Sequence, residues 1–150
     1  MGTLIGTGVV LMGVLVAGLR WQFAPVVDTV RRMNRSVTNP RVMRTAGTAG
    51  TQTSVIEHVG RTSGRTYETP VDIIETPTGL LIALPYGDRA DWLRNVVAAG
   101  AATVVTGGER LAVERPTIVA TADVADLLPD RTRRTLRLFG VGQCLRLETS

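Results

Sequence analysis

The first nineteen positions of this 150-residue chain carry no charged side chain, and from residue 4 to residue 19 the apolar run is broken only by Gly6, Thr7, Gly8, Gly13 and Gly18. As a helix, residues 1–19 would span about 28 Å at ~1.5 Å per residue, close to the roughly 30 Å of a bilayer's hydrocarbon core. The pattern predicts a transmembrane helix, taken as a membrane anchor over residues 1–22. Two other readings compete with it. A cleaved signal peptide lacks its usual marks, because no positive residue precedes the run and no small-x-small site follows it. A buried core helix is the third.

Beyond residue 53 the periodicity changes. Residues 54–61 (SVIEHVGR), 67–75 (YETPVDIIE) and 79–84 (GLLIAL) are short, aliphatic or β-branched, and bounded by turn residues, so they read as three strands. Thr76, Pro77, Thr78 and Gly79 place proline second and glycine last, which suits a type I turn closing a hairpin. A helix follows, with Asp88 as N-cap, Asp91 in its first turn, Gly100 just past its end, and Trp92, Val96 and Ala99 on one face. Gly107-Gly108 between ATVVT and ERLAVERP is a two-residue hairpin signal. Two short helices come next, opened by Thr121 and by Asp130 after Pro129, the second closed by Gly140. The final CLRLET alternates, with Leu145 and Leu147 on one face. Hairpins in place of βαβ crossovers predict a mainly β (α+β) fold, a small split β-barrel of about six antiparallel strands with one main helix and short C-terminal helices.

Composition narrows the function. The chain is 44% hydrophobic and 20% charged, which fits one globular domain and excludes a disordered segment. All 17 basic residues are arginine, so lysine chemistry such as a Schiff base or a P-loop lysine is excluded. A lone Cys144 forms no internal disulfide, and a lone His58 makes no zinc site. Cys144 reads as a buried inert thiol and His58 as a structural or edge residue.

The charge is placed unevenly. Residues 20–65 hold eight arginines against Asp28 and Glu57, whereas residues 66–150 hold nine against eleven acids. Arg20, Arg31, Arg32, Arg35, Arg41 and Arg44 follow the apolar run directly, which by the positive-inside rule predicts a single-pass protein of the cell membrane with its barrel on the cytoplasmic side. The same stretch suits anionic headgroups, and Trp21 and Phe23 suit an interfacial belt. No aromatic residues are interleaved with the arginines, which argues against nucleic acid as a partner. Residues 23–53 thus read as a basic juxtamembrane segment and linker, ending in the small, uncharged stretch TAGTAGTQTS, a linker or an irregular covering segment. Residues 54–150 read as the compact domain.

Within that domain, Gly60-Arg61-Thr62-Ser63-Gly64-Arg65 joins two predicted strands with two glycines, two hydroxyls and two guanidiniums. Glycine lets backbone N–H groups converge, and arginine offers forked donors to phosphate or carboxylate oxygens, so the segment reads as an anion cradle. A solvated hairpin tip is the alternative. Nearby, Tyr67, Thr69 and Pro70 open the next strand, and Pro85, Tyr86 and Gly87 close the third, where backbone donors are exposed to a ligand. Tyr86 can stack on a flat ring or simply pack. Trp92 and Asn95, three apart on the helix, can line a pocket, although Trp92 equally suits the core. No catalytic triad or carboxylate pair follows from the spacing.

Taken together, VIEHVGRTSGRTYETPVDI, GLLIALPYGDRADWLRNVVAAGAATVV and GGERLAV across residues 55–113 resemble the nitroreductase-like family of deazaflavin-dependent oxidoreductases of actinobacteria, split-barrel proteins that use coenzyme F420. Arg115-Pro116-Thr117 and the helical remainder extend the likeness more loosely. The resemblance implies that Arg61, Thr62 and Ser63 hold the cofactor's phosphate and glutamate tail, that Tyr67, Thr69, Pro70, Pro85, Tyr86 and Gly87 line the deazaflavin, and that Trp92 and Asn95 close the pocket. It also implies hydride transfer to a small acceptor, and a homodimer. FMN, which also presents a phosphate and a flat ring, is the alternative cofactor. Thr62 stands where relatives often have lysine, and this chain has no tyrosine near its C-terminus of the kind found in some nitroimidazole-reducing relatives. The apolar N-terminus suggests a lipid-phase acceptor such as a quinone or an unsaturated lipid. A non-catalytic barrel binding a lipid or fatty acid at the membrane is the second function to weigh.

Overall fold

The computed structural model describes residues 45–48, 50 and 53–150. Seven strands make one antiparallel sheet: β1 (Ser54–Val59), β2 (Thr66–Val71), β3 (Ile73–Thr76), β4 (Gly79–Ala83), β5 (Ala101–Thr106), β6 (Glu109–Ala120) and β7 (Gln143–Thr149). Helix α1 (Asp91–Ala99) precedes β5 and α2 (Asp130–Leu138) precedes β7, with 3-10 segments at Gly87–Arg89 and Thr121–Leu127.

The strand order is β2-β1-β5-β6-β7-β4-β3. Strands β2 and β3 are consecutive in sequence, separated only by the exposed Asp72, yet they lie at opposite edges. The sheet therefore curls into a half-barrel whose two edges are linked by the chain itself. This corrects the expected strand count. The run 67–75 is not one strand, because at Asp72 the partner changes from β1 to β4.

Side-chain alternation then builds two cores. Ile56, Val71, Leu80, Ile82, Val104, Val113, Leu145 and Leu147 point into the curl and meet Leu93 and Val96 of α1. On the outer face, Leu81 and Cys144 meet Val124, Leu128, Leu136 and Val141. Strand β4 is thus covered on both sides, which is why its sequence is unbroken GLLIA instead of an alternation.

The punctuation is mostly as expected. Gly107 and Gly108 both adopt positive φ, 58° and 87°, the requirement of a tight two-residue hairpin. Gly100 closes α1 in the left-handed region and donates its N–H to the Val96 carbonyl. Asp88, however, is not the N-cap. It falls in the 3-10 turn, Ala90 precedes the helix with no side-chain cap, and Asp91 opens it. The buried face of α1 is Leu93, Asn95 and Val96, while Ala99 is exposed. Strand β6 bends midway, where Arg115 takes φ +53° and the register to β7 shifts between Glu114 and Thr117. Pro116, which has no N–H to give a ladder, is accommodated at this bulge.

Among the described residues no helix is long and apolar enough to cross a membrane. The anchor expected over 1–22, its aromatic belt and the arginines through Arg44 lie outside the described residues. Part of the stretch after them covers the domain: Gly47 is buried, its N–H donates to the Thr53 carbonyl at 2.7 Å, and its carbonyl accepts the Gly108 N–H at 2.7 Å.

Candidate functional site

The glycine-rich segment is the turn of the β1–β2 hairpin, and its own hydrogen bonds shape it. The Gly60 N–H donates to the Arg65 carbonyl at 2.8 Å, and the Gly64 N–H donates to the Gly60 carbonyl at 2.8 Å. Gly64 takes φ +66°. At Gly60 a Cβ would stand 2.3 Å from Ser63 Oγ and 2.7 Å from the Tyr67 ring, so a larger residue there would push the Ser63 and Tyr67 side chains from their present places. The Ser63 and Tyr67 hydroxyls share a hydrogen bond of 3.0 Å. Hairpin register sets His58 opposite Tyr67, and their rings stack with centroids 5.9 Å apart. Tyr67 keeps 44% of its surface exposed, so an aromatic face borders the turn on the solvent side.

Arg61 crosses from this turn to the N-terminal end of α1. Its Nη2 donates to Asp91 Oδ1 at 3.2 Å, and its Nη1 donates to Asn95 Oδ1 at 2.8 Å and to the Asp91 carbonyl at 3.4 Å. The Arg61 backbone N–H also donates to Asn95 Oδ1, at 3.1 Å. Asp91 and Asn95 are four apart, hence on one face of the helix, which lets a single guanidinium reach both. Among the described residues the Arg61 Nε–H has no hydrogen-bond partner and remains available to an anion. The side chain is 34% exposed.

Behind Asn95 the network enters the domain. Asn95 Nδ2 lies 3.2 Å from His58 Nδ1, and His58 Nε2 lies 3.1 Å from Thr69 Oγ1. Both His58 and Asn95 are buried. The structure thus joins Arg61, Ser63, Tyr67, Thr69 and Asn95 into one connected set. Thr62 is exposed at the tip of the turn. Pro70 pairs with Val55 on the edge strand β2, where its missing N–H leaves no ladder bond unmade. Pro85, Tyr86 and Gly87 lead into α1, Gly87 donating its N–H to the Leu84 carbonyl at 3.0 Å with φ +66°. Trp92 turns to the inner core and packs against it, as the packing alternative had it.

Two residues that link this set carried no ligand role in the sequence reading. His58 is hydrogen-bonded on both ring nitrogens, and Asp91 pairs with Arg61. The i, i+4 spacing of Asp91 and Asn95 was visible as a polar pair on one helix face. Their meeting with residues thirty or more positions earlier was not. Cys144 fits the inert reading: it is buried, and burial raises its thiol pKa against a weaker contact with Thr121.

Burial also pushes the His58 pKa below its ordinary 6.5. At pH above 6.5 the ring is neutral in both folded and unfolded chain. As the pH falls below 6.5 the unfolded chain takes up a proton that the folded one resists, so stability declines until the folded pKa is passed. Denaturant titrations between pH 8 and 5 are expected to show this decline, at most about 1.4 kcal/mol per pH unit from one group, and His58→Gln is expected to remove that component.

No protein-family model matches the sequence, and no curated protein matches it. Solved structures with a similar chain course include an F420 reductase, at 12% identity and a TM-score of 0.47 over 66% of this chain and 86% of that one. An FMN-binding protein from Syntrophomonas wolfei is similar at 13% identity and a TM-score of 0.47, over 82% and 92% of the two chains. The heme storage protein HutZ from Vibrio cholerae is similar at 11% identity and a TM-score of 0.48, over 74% and 89%.

Proposed function

We propose that the chain is an oxidoreductase that binds a redox cofactor with a flat ring and an anionic tail, coenzyme F420 in the first instance, and passes hydride to a small conjugated acceptor. The observation that carries this reading is the adjacency of an arginine-bearing glycine turn and an exposed tyrosine face. The residues fit such a group. Arg61 is held by Asp91 and Asn95 with its Nε–H still available, Thr62 and Ser63 are exposed at the tip beside it, and a tail phosphate there would also lie near the N-terminal end of α1. The resemblance across residues 55–113 supports the deazaflavin over other ligands of the same shape.

In this reading Arg61, Thr62 and Ser63 bind the tail, and Tyr67 offers its outer face to the ring. Pro85, Tyr86 and Gly87 line the approach ahead of α1. The bound cofactor supplies the hydride; the protein's part is to bind, orient and keep water from the ring. A quinone-like or lipid acceptor, met by a barrel tethered on the cytoplasmic face through residues 1–22, belongs to the same proposal and rests on the sequence of that segment.

The test is a titration of the full chain in detergent with F420 and, separately, with FMN, following quenching of Trp92 after Trp21→Phe. Trp92 adjoins Asp91, the residue that pairs with Arg61, so a ligand at the turn is within its reach. Saturable micromolar quenching by F420 is the expected result. Saturation by FMN alone replaces the cofactor, and no response to either leaves lipid binding as the function to pursue.

A further inference from the structure

Asn95 is 6% exposed and sits between two partners of opposite demand. On one side are the Arg61 backbone N–H and Nη1, at 3.1 and 2.8 Å, groups that only donate. The amide oxygen must therefore face the turn, and the NH2 must face His58 Nδ1 at 3.2 Å. An NH2 also only donates, so Nδ1 carries no proton. The neutral ring then keeps its proton on Nε2, where it donates to Thr69 Oγ1 at 3.1 Å. Reversing the amide would set NH2 against two further donors in a buried place, and no buried side-chain N or O lacks a partner among the described residues. One polarity thus runs from the strand β2 hydroxyl through His58 and Asn95 to the turn.

We infer that Asn95 is the positioning residue of the anion site. Its oxygen, kept facing the turn by His58 behind it, holds the backbone and the guanidinium of Arg61 in the orientation a bound anion meets. The inference rests on the turn being an anion site, as proposed above. A residue that merely filled space between α1 and β1 would need Asn95's volume and not its polarity.

His58 is the single histidine of the chain, so a long-range 1H–15N spectrum of the labelled protein in detergent reports one pair of ring nitrogens. At pH 8 the wild type is expected to show Nδ1 bare and Nε2 protonated. Asn95→Asp, nearly the same shape, offers acceptors to both sides and is expected to move the proton to Nδ1. The opposite tautomer in the wild type, or an unchanged ring in Asn95→Asp, overturns the inference, and the wild-type measurement needs no variant to fold. Titration with inorganic pyrophosphate completes the test. Asn95→Leu is expected to bind about tenfold more weakly than wild type, the effect of losing one charge-assisted contact's geometry. Equal affinities overturn the positioning role alone. Absence of pyrophosphate binding in the wild type, with the expected tautomer in place, overturns the anion reading of the turn instead.

Discussion

Replacing Arg61 with alanine is expected to weaken F420 binding about 10- to 150-fold, equivalent to ~1.5–3 kcal/mol for one charge-assisted contact. The same change is expected to leave the fold nearly as stable as before. Arg61 and Asp91 are 34% and 54% exposed, and an ion pair so close to solvent contributes about 0–1 kcal/mol. Asn95 also retains the backbone N–H of residue 61, so the buried amide oxygen is not orphaned. The measurement is the Trp92 quenching titration beside a denaturant melt of the same sample. An affinity equal to wild type removes Arg61 from the site, and a collapsed melt assigns it to the fold. Arg61→Lys separates charge from shape: an ammonium keeps the charge but not the fork that reaches Asp91 and Asn95 together.

Leu145→Ala is expected to cost about 2–5 kcal/mol of unfolding free energy, the range for emptying a large buried site. Leu145 is fully buried and lies in register with Ile82 on β4 and Ile118 on β6, so it bridges the two strands that β7 joins. Its neighbours belong to a curled sheet with hydrogen-bonded strands on either side, which restricts their collapse into the space. Leu138→Ala provides the control, since Leu138 is 60% exposed and its truncation is expected to stay within about 0.5 kcal/mol. Equal effects at the two positions would mean that the inner face of β7 is not the core.

The contrast between these residues tracks what could be read from the sequence. GLLIA, Gly100, Gly107-Gly108 and the alternation of Leu145 and Leu147 each carry their structural meaning in a handful of adjacent positions, and each sits where it was expected. Asp72 does not. Nothing near it signals that the chain leaves one edge of the sheet and joins the other, because strand propensity reports extended backbone and not the identity of the partner. Asp88 failed as a cap for a related reason: it is taken up in the 3-10 turn Gly87–Arg89, and a second acid three residues later opens the helix. The glycine turn was legible as a candidate anion cradle from Gly60, Arg61 and Gly64. The residues that hold it were not, since Asn95 meets His58 and Arg61 across 37 and 34 positions of sequence. Trp92 and Asn95 looked equally able to line a pocket; the structure packs Trp92 against the inner core and bonds Asn95 to Arg61 and His58.

The position of β7 has a consequence for how the protein is made. It lies between β6 and β4, so an interior place in the sheet is filled by the last of its seven strands in sequence. Strand β4, apolar on both faces, emerges about 60 residues earlier, an interval of several seconds at ~5–20 residues per second. Throughout that interval β4 has β3 on one side but not β7 on the other, and the hairpins already formed cannot close the curl. The nascent chain therefore carries a half-paired apolar strand until residues 143–149 arrive, and slowing synthesis between β4 and β7 is expected to raise aggregation, read as a lower soluble fraction.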